Sequence, residues 1–174
     1  MRVKNPTPKH SVKLFNRTHG EYSLSWRREN MLSFKIVTDK KQLSKPCKEV
    51  DVEEGIQLGE KMLAYLKENN KFAGIAANQI GINKRVCVIN VTEPIILVNP
   101  KIISQFGKFQ YKEGCLSFPG QYIITNRYAN IMITADNHKE AIIFTAERNP
   151  LECACVQHEI DHLDGKTMFE RGIK

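Results

Sequence analysis

No apolar run in these 174 residues approaches the roughly 20 needed to cross a bilayer, so a helical membrane span is not expected. The first 30 residues lack the hydrophobic stretch of a secretory signal. No segment repeats at a fixed period and none is of low complexity, which excludes solenoids and repeat arrays. Five cysteines, at positions 47, 87, 115, 153 and 155, are an odd and scattered set. They make no disulfide framework and point to a reducing compartment, the cytoplasm being the expected one. Acidic residues are outnumbered, 19 against 26 Lys and Arg, but the excess is local. Residues 1–30 hold seven basic and two acidic residues, net +5, which leaves only +2 for residues 31–174. The body therefore has no basic surface demanding nucleic acid, and no specific nucleic-acid partner is expected. A chain of this length buries one proper core. The expected organisation is a basic N-terminal extension over 1–30, read as a solvated, flexible tail, and one folded domain over 31–174. An RNA- or ribosome-attracted arm and an organellar address are the alternative readings of the extension, Met31 is a plausible second start, and His10 and His19 are incidental.

What is present is a mixture of helix and strand signals. Asp51 followed by Glu54 marks a helix start, with Ile56, Met62, Leu63 and Leu66 as its apolar face and Asn69-Asn70 as its end. Strands are predicted at 85–90, 94–99, 101–106, 121–125, 129–135 and 141–145. Asp136-Asn137-His138-Lys139 has the composition of a hairpin turn, which makes His138 an exposed loop residue. A last helix starts with Asn149 as N-cap, Pro150 in the first helical position and Glu152 to complete a capping box. The fold class is α+β, antiparallel sheets wrapped around one central helix.

That helix carries Gln157-His158-Glu159-Ile160-Asp161-His162-Leu163. Residues four apart share a helix face, so His158 and His162 can grip one ion, and Glu159 stands beside that face. Two imidazoles with a neighbouring carboxylate suit metal-assisted hydrolysis, the carboxylate taking a proton from water. Leu151, Cys155, His158 and His162 are expected on one inward stripe. Histidines on a surface, or hydrogen-bonded in a core, are the competing readings. A hydrolytic site needs a third protein ligand and one open position. The pattern H-E-x-x-H-x-x-G-x-x-H finds Gly165 in place but Met168 where a histidine should stand, and only Glu170 is left as a later carboxylate. The third ligand is therefore expected upstream, where Cys115 is the best candidate. Gly114 lets the backbone pass close there, and Pro119 ends any regular ladder. An inert buried cysteine is the alternative. Cys153 and Cys155 are expected to be small core residues.

Three segments in this order, Gly74-Ile75-Ala76-Ala77-Asn78-Gln79, Glu113-Gly114-Cys115-Leu116-Ser117 and His158-Glu159-Ile160-Asp161-His162, resemble the peptide deformylases. The likeness runs over about 34–169. It implies a peptide deformylase-like fold, with the catalytic domain over 31–174 and its metal helix at the centre. It implies Cys115, His158 and His162 as ligands of one divalent ion and Glu159 as general base. The Gln79 side-chain amide and the Leu116 backbone N–H would donate to an oxyanion. Gly74 would let a substrate backbone lie close, as an added strand. The implied native ion is Fe2+, with Zn2+, Ni2+ or Co2+ able to replace it, although affinity order alone favours copper or zinc. The implied substrates are N-formyl-methionyl peptides of nascent chains, cleaved to formate and a free amine. Phe72, Ala73 and Tyr122 depart from the family pattern and put the substrate groove in question. Arg127 is either a partner of Glu113 or a plain surface arginine. The family's further basic C-terminal helix, associated with ribosome docking, has no counterpart here after Gly165, so transient ribosome proximity at most is implied. A catalytically altered relative that binds formylated peptides or ribosomes is the alternative that Phe72 leaves open. A small metalloprotease is the other, with Met168 against it.

Overall fold

The computed structural model describes residues 34–69 and 72–173. The expected extension, with His10, His19 and Met31, lies outside the described residues, as does Asn70. The elements run α1 (Lys40–Leu43), α2 (Val52–Glu68), β1 (Gly74–Ala76), a 3-10 turn (Ala77–Ile80), β2 (Val86–Asn90), β3 (Pro94–Val98) and β4 (Lys101–Phe106). They continue with β5 (Phe109–Cys115), β6 (Phe118–Arg127), β7 (Asn130–Thr134), β8 (Ile142–Thr145), α3 (Pro150–Leu163) and a second 3-10 turn (Met168–Arg171).

α2 starts where its cap dictates. The Asp51 carboxylate accepts from the N–H groups of Glu53 at 3.0 Å and Glu54 at 3.2 Å, two donors that the helix itself cannot satisfy. Its buried face is Gly55, Gly59, Met62 and Leu66, not the Ile56 and Leu63 of the simple apolar count, which are only half-buried. Two glycines let the helix sit directly on β3: a Cβ on Gly59 would lie 2.3 Å from Ile96 Cγ2.

All strand pairs are antiparallel, in sheets ordered β1-β2-β3, β4-β7-β8 and β5-β6. Alternate side chains leave opposite faces of a strand. Thus Ile75, Val86 and Val88 pack with Met62 and Leu66 of α2, while Ala76, Cys87 and Ile89 pack on α3. Ile131, Ile133 and Phe144 cover α3 from the second sheet. The result is the expected α+β arrangement, with antiparallel sheets around one helix. β5 and β6 form a hairpin through the two-residue turn Leu116-Ser117, and the chain's last described residues close on it by a Thr125–Gly172 bridge.

Several local expectations need correction. β1 and β5 are strands absent from the expected set: β1 is only three residues long, whereas β5 alternates inward and outward residues from Phe109 to Cys115 and its pattern is legible. Pro119 does not end a ladder. It is the second residue of β6, in the unpaired stretch between the Cys115–Phe118 and Gly114–Tyr122 pairs, where a missing N–H costs nothing. His138 is half-buried, with Nε2 2.9 Å from the Ile96 carbonyl. Among the described residues no helix is long and apolar enough to cross a membrane.

Candidate active site

α3 begins as its sequence requires. The Asn149 side chain accepts from the Glu152 N–H at 3.1 Å, and Pro150 occupies the first turn. No reciprocal capping box forms, because the Glu152 carboxylate accepts from Thr92 N–H instead, at 3.2 Å. Asp164 and Gly165 end the helix, Gly165 at φ +72°. From Cys153 to Leu163 every residue is buried. The stripe predicted from periodicity is thus too narrow a description, since sheets close on the helix from several sides. Leu151, assigned to that stripe, is in fact exposed at the rim.

The charged and ligand-type residues of α3 converge on the β5–β6 turn. One ligand atom each from Cys115, His158 and His162 lies within 4.8 Å of the others. Cys115 Sγ is 3.3 Å from His162 Nε2. The two imidazole rings stand 4.9 Å apart, centroid to centroid, nearly edge to face. Burial, reinforced by the neighbouring positive charge of His158, pushes the His162 pKa well below its ordinary value, so that ring is neutral as a ligand must be. Its carbonyl accepts from Asn78 Nδ2 at 2.6 Å, tying the helix to the 3-10 turn after β1.

His158 is oriented by a buried charge ladder. Its Nδ1 lies 2.9 Å from Glu113 Oε2. Burial alone would raise the Glu113 pKa, but hydrogen bonds from Arg127 and His158 outweigh it and hold the carboxyl at about 2. An ionised Glu113 only accepts, so Nδ1 carries the proton and Nε2 is the atom that could face an ion. For His158 itself burial works downward, yet its bonds to Cys115 and Glu113 raise its pKa to about 10 in the metal-free protein. Arg127 clasps Glu113 through Nε and Nη2, and Thr125 Oγ1 adds a third donor at 2.7 Å. Through Nη1 Arg127 also reaches Asp161, which in turn accepts from Arg171 Nη2 at 2.6 Å and Nε at 3.0 Å. The surface-arginine reading of Arg127 is excluded by its 2 % exposure.

Two groups face the centre without a ligand role. Gln79 is held from behind, its Oε1 accepting from Ala76 N–H at 2.9 Å. Its Nε2 is thereby aimed at Cys115 Sγ, at 3.5 Å, and Ser117 Oγ, at 3.3 Å. Glu159 is buried, and Oε2 has no partner among the described residues. Burial is the leading cause of its pKa being raised to about 7. Gly74 packs against this carboxylate: a Cβ there would meet Cys155 Sγ at 2.8 Å and Glu159 Oε1 at 2.9 Å. Its missing side chain makes room for the helix, and Gly74 also lines the adjoining cavity. A cavity of about 430 Å³ opens beside these groups. Phe72, Tyr111, Leu116, Tyr122 and Leu151 are among its walls, and His158 and Glu159 stand at its base.

The sequence pattern of the polypeptide deformylases matches residues 33–174. The chain belongs to that family. The peptide deformylase of Hydrogenovibrio crunogenus is 41 % identical over 108 residues, 58 % of this chain and 63 % of that protein. The Neisseria meningitidis peptide deformylase is 38 % identical over 136 residues, 74 % of this chain and 78 % of that one. The crystal structure of the Acinetobacter baumannii peptide deformylase with Met-Ala-Ser bound is similar in fold, at TM-score 0.72 and 25 % identity, covering 80 % of this chain and 99 % of that one. The chain is thus a metal-dependent enzyme of the deformylase class, with a Cys/His/His cluster where such an ion can be held.

Against that family background the departures become local. Phe72, Ala73 and Tyr122 all lie on the wall of the cavity that Cys115 and His158 also line, and none of the three is one of the clustered donors. Met168 is fully buried with Leu43 and Phe118, a group against which Cys115 packs, and Glu170 caps its own turn through Thr167; neither is one of the clustered donors. Cys153 and Cys155 pack in the core, as expected. Sequence reasoning missed Asp161, Ser117 and Asn78. The available signal was Asp161 itself, because a carboxylate one turn from His158 on a buried helix requires an arginine partner.

Proposed function

We propose that residues 31–174 form the catalytic domain and remove the formyl group from N-formyl-methionyl peptides, with Cys115, His158 and His162 holding one divalent ion. The observation that carries this reading is the meeting of those three donors, within 4.8 Å, beside a buried carboxylate that has no partner. The donor set fits such an ion: one thiol and two imidazoles, His158 with Nδ1 engaged by Glu113 and His162 neutral. When bound, the ion would supply Lewis acidity, making water easier to deprotonate and the formyl carbon more electrophilic.

The chain's own groups do the rest. Glu159 takes a proton from the attacking water through its free oxygen and returns it to the leaving amine as the C–N bond breaks. A pKa raised to about 7 by burial suits that exchange at neutral pH. Gln79 Nε2, fixed by its bond from Ala76, and the Leu116 N–H in the β5–β6 turn donate to the oxyanion of the tetrahedral intermediate. The edge of β1 left free by β2 offers a backbone along which an extended peptide can pair. The methionine side chain enters the cavity, and the groove accepts varied residues beyond it. The peptide-bound Acinetobacter structure, with Met-Ala-Ser, supports this substrate class. Fe2+ is the native ion in this reading, with Zn2+, Ni2+ and Co2+ as replacements, and the site of action is the cytoplasm, in transient proximity to ribosomes.

Formate release from formyl-Met-Ala-Ser, measured beside acetyl-Met-Ala-Ser with Ni2+-loaded protein, tests the reading. Turnover of the formyl peptide alone is expected. No turnover with the metal site filled favours the binding-only relative. Loss of the Fe2+ form in air, prevented by Ni2+, is the expected signature of native iron, and indifference to air counts against it.

A further inference from the structure

We infer that Arg171, in the C-terminal 3-10 turn, is a positioning residue for the metal centre, acting through Asp161, Arg127 and Glu113 on His158. This rests on the ligand assignment proposed above and goes beyond it by giving the C-terminal turn a role in metal retention. The ladder alternates in charge: Arg171, Asp161, Arg127, Glu113, then the imidazole. Arg127 lies between two buried carboxylates and has only one guanidinium to divide between them. Arg171 settles the division. By placing Nη2 on Asp161 Oδ1 and Nε on Asp161 Oδ2, it supplies most of what Asp161 requires. Arg127 then needs to give Asp161 only Nη1 and keeps Nε and Nη2 for a two-pronged grip on Glu113.

Without Arg171, Asp161 Oδ1 loses its donor in a nearly closed interior, since the Asp161 side chain is only 7 % exposed. The cheapest repair is for Arg127 to swing toward Asp161. That movement loosens Glu113, and Glu113 is what holds Nδ1 of His158. The turn bearing Arg171 is itself fixed to the same hairpin that carries Cys115: Gly172 bridges to Thr125, and Ile173 N–H donates to the Ile124 carbonyl at 3.0 Å. The C-terminal turn thus touches both halves of the donor set, the cysteine through β6 and the histidine through the ladder.

Partners one step outside a metal's ligands typically carry about 10–100-fold in affinity, and Arg171 stands further out, so about tenfold is expected. The experiment uses the full chain loaded with Co2+. The readouts are the rate of ion transfer to an excess of chelator and the visible absorption band of the bound ion. Arg171→Met is expected to speed ion loss about tenfold and to shift the band, whereas Arg171→Lys, which keeps the charge, recovers much of the loss. Arg171→Met combined with Asp161→Asn is expected to retain the ion better than Arg171→Met alone, because the demand on Arg127 has been removed. Glu170→Ala controls for loosening of the turn, since it removes the Thr167 cap without touching Asp161. It is expected to lower the melting temperature and leave ion loss unchanged. If Arg171→Met unfolds, Arg171→Lys and its combination with Asp161→Asn read the coupling in its place. Equal ion loss from wild type and Arg171 variants, or a double variant no better than the single, overturns the inference. A wild-type chain that binds no ion overturns the ligand assignment instead.

Discussion

Gly74→Ala is the sharpest test of how the Glu159 carboxylate, the proposed general base, is held. The added methyl would stand 2.8 Å from Cys155 Sγ, 2.9 Å from Glu159 Cγ and 2.9 Å from Glu159 Oε1, all closer than real carbon contacts allow. β1 is paired along its length with β2, and α3 is buried on all sides, so neither backbone can retreat. Overpacking of this kind costs about 1–3 kcal/mol. For a domain of this size that lowers the melting temperature by about 4–12 °C. The atom that yields most easily is the end of the Glu159 side chain, because Oε2 has no partner to hold it. A 1 Å displacement of a catalytic group costs about 100-fold in rate. The expected outcome is a lower melting temperature and a much reduced kcat, with KM for formyl-Met-Ala-Ser changed little. Removing the Cys155 sulfur as well, in Gly74→Ala with Cys155→Ala, clears one of the two obstacles and should restore part of the melting temperature. If instead Gly74 is there to admit the substrate backbone, KM rises while the melting temperature and kcat hold. That result would refute the packing argument.

Glu159→Ala should reduce kcat by about 10²–10⁴-fold while metal content by elemental analysis stays at the wild-type level; surviving turnover would remove Glu159 from the mechanism. Gln79→Ala deletes one oxyanion donor and should cost about 3–4 kcal/mol of transition-state stabilisation, seen in kcat rather than KM. Glu113→Gln tests the ladder by pH. The folded pKa of about 2 lies below the ordinary 4.5, so Glu113 contributes stability that is present above the ordinary value and is lost as pH falls from there through about 2. Acid unfolding of the metal-free protein, followed by circular dichroism, should therefore show a shallower acid limb in the variant, together with a lower plateau at neutral pH.

Sequence and structure agree most closely where the controlling forces are local. Asp51 and Asn149 cap their helices because a side chain two or three residues away can reach the free N–H groups, and that can be read from a string. The His158–His162 spacing is legible for the same reason, being a property of one helix. Cys115 was only a candidate without the family likeness, because the hairpin that delivers its thiol is set by pairing with β6, which the alternation within β5 does not disclose. Arg127 was ambiguous for a related reason. Its partners are 14 and 34 residues away in sequence, and only the fold decides that they meet. The burial of α3 was underestimated because periodicity presumes one wet face, and three sheets leave this helix almost none. Gly74 was read as space for a ligand, and the fold shows that the protein's own helix also uses that space. A glycine in sequence announces a missing side chain without saying which neighbour needs the room.

The two glutamates at the centre are chemically identical in the sequence, and the fold drives them apart. Glu113 and Glu159 are both buried, so both pay the same first cost, and their difference lies in what meets them. Glu113 receives Arg127 twice, Thr125 and His158, and is held at about 2. Glu159 receives no such donors at Oε2, and burial carries it to about 7. A carboxylate that never protonates near neutrality is suited to hold an imidazole in one tautomer and unsuited to exchange protons. A carboxylate poised near neutrality is the reverse. Divergent environments of this kind are how one site assigns separate tasks to like groups. A cation beside Glu159 would draw its pKa downward, narrowing the gap to Glu113 while favouring the ionised base that water activation needs. Exchanging the donors rather than the glutamates is what would blur the roles. It follows that Arg127, which touches no substrate, does as much to define the chemistry as the residues that do.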